Sequence, residues 1–512
     1  MRNKVISNLQ KMMDVNIPII YIHDFDFVRI DDMILQTVRS NAKNIYEWNP
    51  GTGVTHFETR QPNIIDKTDL STFIEKKYLE EPAFGNKIPN KIVILREIHD
   101  LIDDPKIKTL LALFAQRKLY DRKFDSTIII IDSVRKVPDE IAKYVQYLEI
   151  EYPNDDEIEQ LIKEHVEVNG YSQFNDEDKK ELMPSLKGLT AFDIDRMLDM
   201  AMSSNGTLSA EDRDMLLQQK KVMVKNSGVI ELVDAEEKIE NIGGMDALKS
   251  FLERKASIYG RLSAARSKKL DIPKGVFIVG MPGCGKSLCA KATAALFNCP
   301  LLKLDMGSMM GKYLGESEAN LRKAIKIAEA AAPCIVWIDE IEKAFSGVGG
   351  SNSETITRMF GYFLSWMQDK KSAVYVIATA NNAEKLPPEL KRKGRFDEIF
   401  CVNLPTVAER EAIFKVHLMK KGLSTQAAKA LSADSFTKGF NGADIESVVN
   451  EALEESFVKN QPFTEDLLKQ KARETVSISK SCKDQISNME KEFAKNSFKD
   501  ASTGKIINAS NR

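Results

Sequence analysis

A doubly wound parallel-sheet α/β domain with a helical lid, preceded by a second α/β domain built on the same frame, is the fold class this sequence predicts. Three observations predict it. The apolar run Val276–Val279 passes into Gly280-Met-Pro282-Gly283-Cys284-Gly285-Lys286-Ser287 and then into an alanine-rich helical stretch from Leu288. A second apolar run, Ile335–Ile338, ends in Asp339-Glu340. The two halves of the chain also share phrases at a nearly constant spacing of about 250 residues, the mark of an internal repeat.

Bulk properties bound the problem first. With 512 residues, the chain is long enough for two to four domains with ample cores. Its 43% hydrophobic and 29% charged residues are those of a globular protein. A formal charge of -2 gives no global drive toward nucleic acid or a membrane surface. The basic run Arg266-Ser-Lys-Lys269 reads as a solvated face. Cys284, Cys289, Cys299, Cys334, Cys401 and Cys482 form no C-x-x-C pair, and they read as reduced cysteines of a cytosolic-type compartment. No apolar run reaches the length of a membrane span, so no membrane insertion is expected.

In the first half, Ile17–Ile22 reads as a buried strand, but His23-Asp-Phe-Asp-Phe27 follows where a phosphate loop would sit. That stretch offers neither glycine nor lysine, and its carboxylates repel phosphate. Further strands are read at Lys91–Arg96 and Thr127–Ile131, alternating with helical stretches. Lys136-Val-Pro-Asp-Glu140 parallels Lys385-Leu-Pro-Pro-Glu389, and Lys187–Asp195 parallels Lys438–Glu446. The repeat puts Arg96 at the position of Asp339, Lys143 at that of Arg392, and Phe192 at that of Ala443. Residues 1–210 are therefore read as a degenerate copy without a nucleotide site, and the polar stretch 211–240 as a linker.

The second half carries the chemistry. Gly280, Gly283 and Gly285 allow a backbone turn whose N–H groups converge on phosphate at a helix N-terminus. Lys286 is placed for the β- and γ-phosphates and the Ser287 hydroxyl for Mg²⁺, so the loop calls for ATP. In a doubly wound sheet, ligands gather at the carboxyl ends of the strands, which brings Asp339 to the metal and Glu340 to the attacking water as base. The strand Ala373–Ala378 leads to Asn381, a neutral amide that can position water. Arg392 and Arg395 are ordinary helix-face residues in isolation. Beside such a site they can be lent to a neighbouring subunit's γ-phosphate.

Together these motifs, with Gly315-Glu-Ser-Glu318 through Arg322 and Gly394-Arg-Phe-Asp397, make residues 238 to about 460 resemble the AAA family of AAA+ ATPases. The resemblance implies a large ATPase subdomain over 241–405 and a helical lid over 406–460. It makes Asn381 the sensor-1 residue and Arg392 and Arg395 trans-acting arginine fingers. It sets Asn241-Ile242-Gly243-Gly244 and Gly442-Ala443 beside adenine and His417 near the ribose or base. It also implies a hexamer whose pore is lined by Lys312, Tyr313 and Leu314, with Gly347–Ser353 as a second pore loop. More narrowly, the inactive first half, Gly361–Gln368, Leu386–Phe400 and the stretch Phe493–Ser502 resemble the AAA ATPases called hypothetical chloroplast reading frame forty-six. The stretch departs from that pattern, with Phe493 and Lys495-Asn-Ser-Phe-Lys499 where that family shows a tryptophan and more arginines. Residues 461–500 read as a helical segment packing on the ring or lid, and 501–512 as a disordered tail.

The expected protein is an ATPase in a ring of identical subunits, remodelling or threading a protein client, in the cytoplasm or, if plastid-encoded, the stroma. An ATP-gated interaction protein with slow turnover stands beside that reading. So does a nucleic-acid-acting AAA+ enzyme, against which the near-neutral charge and the lack of a recognisable nucleic-acid module argue.

Overall fold

The computed structural model describes residues 2–507 except 24–25, 40–43, 60, 62–67, 80–90, 122–123, 151, 169–175, 206–207, 209, 227, 306–315, 346–353, 385 and 393. It divides into two compact units, Met1–Asp212 and Arg213–Arg512.

The first unit is built on β1 (Ile19–His23), β2 (Asn44–Asn49), β3 (Gly53–Thr55), β4 (Lys91–Arg96), β5 (Ser126–Asp132) and β6 (Val145–Tyr147), in the order β3-β2-β4-β5-β1-β6. All neighbours run parallel except β3, which pairs antiparallel with β2. Isoleucine-rich runs suit such a sheet because both of its faces are covered. Successive side chains point to opposite faces. Accordingly Tyr21, Val93, Leu95, Ile128 and Ile130 enter one core while Ile20, Ile22, Ile92, Ile94, Ile129 and Ile131 enter another.

The second unit carries β7 (Ile230–Val233), β8 (Gly275–Gly280), β9 (Leu301–Leu304), β10 (Cys334–Ile338), β11 (Val374–Ala380), β12 (Glu398–Val402) and β13 (Lys499–Asp500). They lie in the order β13-β12-β8-β11-β10-β9-β7. Setting aside edge strands β3, β7 and β13, the two sheets share one order. Strands β6-β1-β5-β4-β2 of the first match β12-β8-β11-β10-β9 of the second. The lid follows β12, with helices Val407–Lys420 and Gly442–Val458 joined through Phe414, Leu418, Ile445 and Val448.

Two readings of the polar segments are corrected. The stretch 211–240, read as a polar linker of helical character, forms helix Arg213–Asn226 but is more than a linker, since it also contributes β7, which pairs antiparallel with β9 and buries Ile230. Helix Glu465–Glu474, in the segment 461–500 read as packing on the ring or lid, adds Leu467, Leu468 and Ala472 to the lid core. The stretch 501–507 is not disordered. The Ala501 N–H donates to the Cys401 carbonyl at 2.9 Å, the Leu248 N–H donates to the Ala501 carbonyl at 2.9 Å, and Ala501 is buried. These backbone partners order a polar sequence that offers little apolar surface of its own. Residues 508–512 lie outside the described residues.

Candidate active site

Strands β8, β11 and β10 are neighbours, and their carboxyl ends stand level, with Val279 opposite Ala380 and Ile338 opposite Ala378. This brings the glycine loop, Asp339, Glu340 and Asn381 to one edge of the sheet. Helix Lys286–Phe297 starts directly from Gly285, which is left-handed at φ 80° and supplies no side-chain cap. The first N–H groups of that helix thus carry positive partial charge that the cap residue has no side chain to neutralise.

The Lys286 ammonium donates to the carbonyls of Gly280 and Met281, both at 2.7 Å. Its side chain is buried, and burial lowers its pKa, opposed by the nearby charges of Glu342, Asp339 and Glu340. Ser287 and Pro282 are exposed and Leu288 half-buried, whereas Cys284 is buried and its thiol is pushed up to about 11 by burial.

Across the strand ends, the Thr379 hydroxyl donates to Asp339 Oδ1 at 2.6 Å, and Asn381 Nδ2 donates to Glu340 Oε1 at 2.7 Å. Lys343 pairs with the other Glu340 oxygen. Glu340 itself is left-handed at φ 50°, a costly conformation for a side-chain-bearing residue and one often held at functional sites. The sequence reading missed Glu342. It is buried, its Oε1 accepts the Asn381 N–H at 2.9 Å, and burial raises its pKa. Thr379 likewise stands outside every motif read from the sequence.

The lid closes over the loop through a residue the sequence reading also passed over. Asn441 caps helix Gly442–Val458 by accepting from the Asp444 N–H, while its Nδ2 donates to the Pro282 carbonyl at 2.9 Å. The Ala443 N–H donates to the Gly283 carbonyl at 3.1 Å. The approach is so close that a Cβ on Gly283 would stand 2.4 Å from Asn441 Nδ2. In the first unit the corresponding contact runs from the Phe192 N–H to Asp26 Oδ2 at 3.3 Å, so a carboxylate occupies that place. Arg96, at the end of β4, is paired with Asp31 and, at 3.0 Å, with Glu47.

Ile242 is buried, and a Cβ on Gly243 would fall 2.7 Å from the Ile413 nitrogen, so this segment lies directly on lid helix Val407–Lys420. His417 of that helix is half-buried, and burial holds its pKa below that of a free imidazole. Between its folded value and about 6.5, the unfolded chain takes up a proton that the folded chain leaves off, so stability rises with pH. His417→Gln is expected to flatten this rise in urea titrations from about pH 5 to about pH 8. An unchanged slope would remove His417 as its source.

A cavity of about 340 Å³ opens beside the loop, lined by Met281, Pro282, Glu342, Lys343 and Asn381 and, from helix Lys483–Lys495, by Gln485, Asn488, Met489 and Glu492. The sequence placed that helix on the ring or lid without foreseeing it here. Arg392 is exposed, whereas Arg395 is half-buried and its Nε–H donates to no partner among the described residues. The structure does not bring either arginine into this chain's own cluster of acids. Lys312, Tyr313 and Leu314, and the segment Gly347–Ser353, lie outside the described residues.

The loop and acid strands fall within residues 276–404, which match the ATPase family associated with various cellular activities (AAA). Residues 5–150 match the N-terminal domain of SpoVK-like AAA ATPases, and residues 156–227 match their second domain. A ycf46 AAA domain-containing protein from Guillardia theta is 36% identical over 469 residues, covering 90% of this chain and 89% of that protein. The ycf46 protein of Gracilaria tenuistipitata var. liui is 33% identical, covering 90% and 92%. An ATP-dependent zinc metalloprotease FtsH from the Aster yellows witches'-broom phytoplasma is 34% identical, over 52% of this chain and 37% of that protein. The chain belongs to the ycf46 AAA domain-containing proteins and is an ATP-binding, ATP-hydrolysing enzyme.

Proposed function

We propose that this ATPase works at one site per subunit in a homo-oligomeric ring, a hexamer, and that turnover remodels or threads a protein client. The observation that carries the reading is the meeting of an uncapped helix N-terminus and Lys286 with Asp339, Glu340 and Asn381 at adjoining strand ends. Those residues fit a nucleotide triphosphate with Mg²⁺. The helix N–H groups and Lys286 bind phosphate oxygens, while the Ser287 hydroxyl and Asp339 hold the cation. When bound, Mg²⁺ neutralises charge that develops on the transferring phosphoryl group.

Glu340 accepts the proton of the attacking water, and Asn381 orients Glu340 through the 2.7 Å bond. Gly280, Pro282, Gly283, Cys284, Gly285 and Leu288 form and support the cradle. Ile242, Gly243, His417, Gly442 and Ala443 take the adenosine end, with lid helix Val407–Lys420 carrying His417 and helix Gly442–Val458 touching Gly283. Exposed Arg392, with Arg395, completes a neighbouring subunit's site, which is why a ring is proposed.

No helix among the described residues is long and apolar enough to cross a membrane. The setting proposed is the cytoplasm or a plastid stroma, with a protein rather than a nucleic acid as client.

Lys312, Tyr313 and Leu314 are assigned to gripping that client. With Tyr313→Ala, ATP turnover is expected to persist while processing of proteins trapped by the ATP-held ring is lost. Undiminished processing by this variant would reject the pore assignment and leave an ATP-gated interaction protein. Sedimentation in saturating ATP checks the ring separately, and a persistent monomer would reject it.

A further inference from the structure

We propose that the first unit binds one divalent cation of the zinc class between Glu97, His99 and Asp132, at the carboxyl ends of β4 and β5. One potential ligand atom from each residue lies within 4.8 Å of the others. His99 Nδ1 stands 2.7 Å from Asp132 Oδ1 and 3.6 Å from Glu97 Oε2. A tetrahedral ion with bonds of about 2.0–2.1 Å separates its ligand atoms by roughly 3.3–3.4 Å. The two observed separations straddle that value, so the site needs only small side-chain shifts to close on an ion.

Asp132 supplies an independent observation. Its side chain is fully buried, and Oδ1 lies 2.7 Å from His99 Nδ1 and accepts from the Val134 N–H at 3.0 Å, yet Oδ2 has no hydrogen-bond partner among the described residues. A buried, unpaired carboxylate oxygen is costly, and a cation at this point supplies what it lacks.

The surroundings suit ligation. The Ser133 N–H and hydroxyl donate to the two oxygens of Glu97 at 3.0 Å and 2.5 Å, which fixes the carboxylate plane. His99 Nε2 lies 3.7 Å from Asp100 Oδ2, and a carboxylate behind the second ring nitrogen orients a ligating imidazole. Glu97 and His99 remain 31% and 25% exposed, leaving a path for the ion and room for a water as fourth ligand.

The location has a structural logic. Arg96 pairs with Ile131 across β4 and β5, as Ile338 pairs with Ala378 across β10 and β11, so Glu97 and Glu340 follow strands that hold the same place in their two sheets. Both are left-handed, at φ 49° and 50°. Ser133 donates to Glu97 as Asn381 donates to Glu340. The strand-end glutamate has thus kept its posture, but its neighbours are an imidazole and a buried carboxylate in place of a phosphate loop.

The test uses the full-length chain, stripped with a chelator and titrated with Zn²⁺ without nucleotide against a chromophoric competitor. One Zn²⁺ per chain is expected, lost in His99→Ala and Asp132→Asn and held about 10- to 100-fold more weakly in Asp100→Asn. Co²⁺ in the unaltered protein is expected to show four-coordinate visible bands without the near-ultraviolet charge transfer of a thiolate ligand. That measurement needs no variant to fold, and it separates this site from the six cysteines. No Zn²⁺ bound, equal binding by the ligand variants, or a thiolate-dominated Co²⁺ spectrum would each overturn the proposal.

Discussion

Glu340→Gln is expected to lower ATP turnover by about 10²- to 10⁴-fold while ATP stays bound. The amide keeps the shape and can still accept the Asn381 Nδ2 hydrogen bond, but it cannot take a proton from water. Binding survives because the cradle formed by Gly283, Gly285 and Lys286 is untouched. Phosphate release measures the first effect and filter retention of labelled ATP the second. Undiminished turnover would remove Glu340 as base. Glu342 is the informative contrast, since its buried carboxyl is already occupied with the Asn381 N–H. Its contribution runs through the position of Asn381.

Arg392→Ala is expected to cost about 10³- to 10⁵-fold in turnover, the scale of an arginine finger, with ATP affinity far less changed. Its side chain lies exposed, whereas the chain's own acids already engage Thr379, Asn381 and Lys343. The decisive form of the experiment mixes subunits. Arg392→Ala chains keep an intact cradle and lack the finger, while Lys286→Ala chains keep the finger and cannot hold the phosphates. Where the two meet in one ring, an intact cradle faces an intact finger and turnover returns. Mixed rings without recovery would place Arg392 in its own subunit's chemistry.

What the sequence made legible follows from how narrowly each position is constrained. A phosphate cradle demands glycines and a lysine in a set spacing, and a buried parallel strand demands an unbroken apolar run. The loop at 280–287, the acids after Ile338 and the repeated frame could therefore be read directly. Edge strands escaped notice because their pairing is long-range and their side chains are only half-covered. Strand β7 has four residues and β13 two. Asn441 and Thr379 are polar residues of common type whose importance arises only where the fold sets them against Pro282 and Asp339. Nothing in local spelling distinguishes them from ordinary caps and strand ends. The ordered stretch 501–507 was hidden for a related reason, since backbone hydrogen bonds to Cys401 and Leu248 hold it and sequence does not encode those partners locally.

The shared strand order has a consequence for how such a chain can change. The two sheets keep one arrangement, and their differences are concentrated where strands give way to loops. Interior rows such as Ile128–Ile131 and Val374–Ala378 preserve the architecture, while replacements within a few residues of the strand termini separate a phosphate cradle from a histidine and two carboxylates. Stability and chemistry are in this sense carried by different residues. The scaffold is a chassis, and its strand termini are interchangeable fittings.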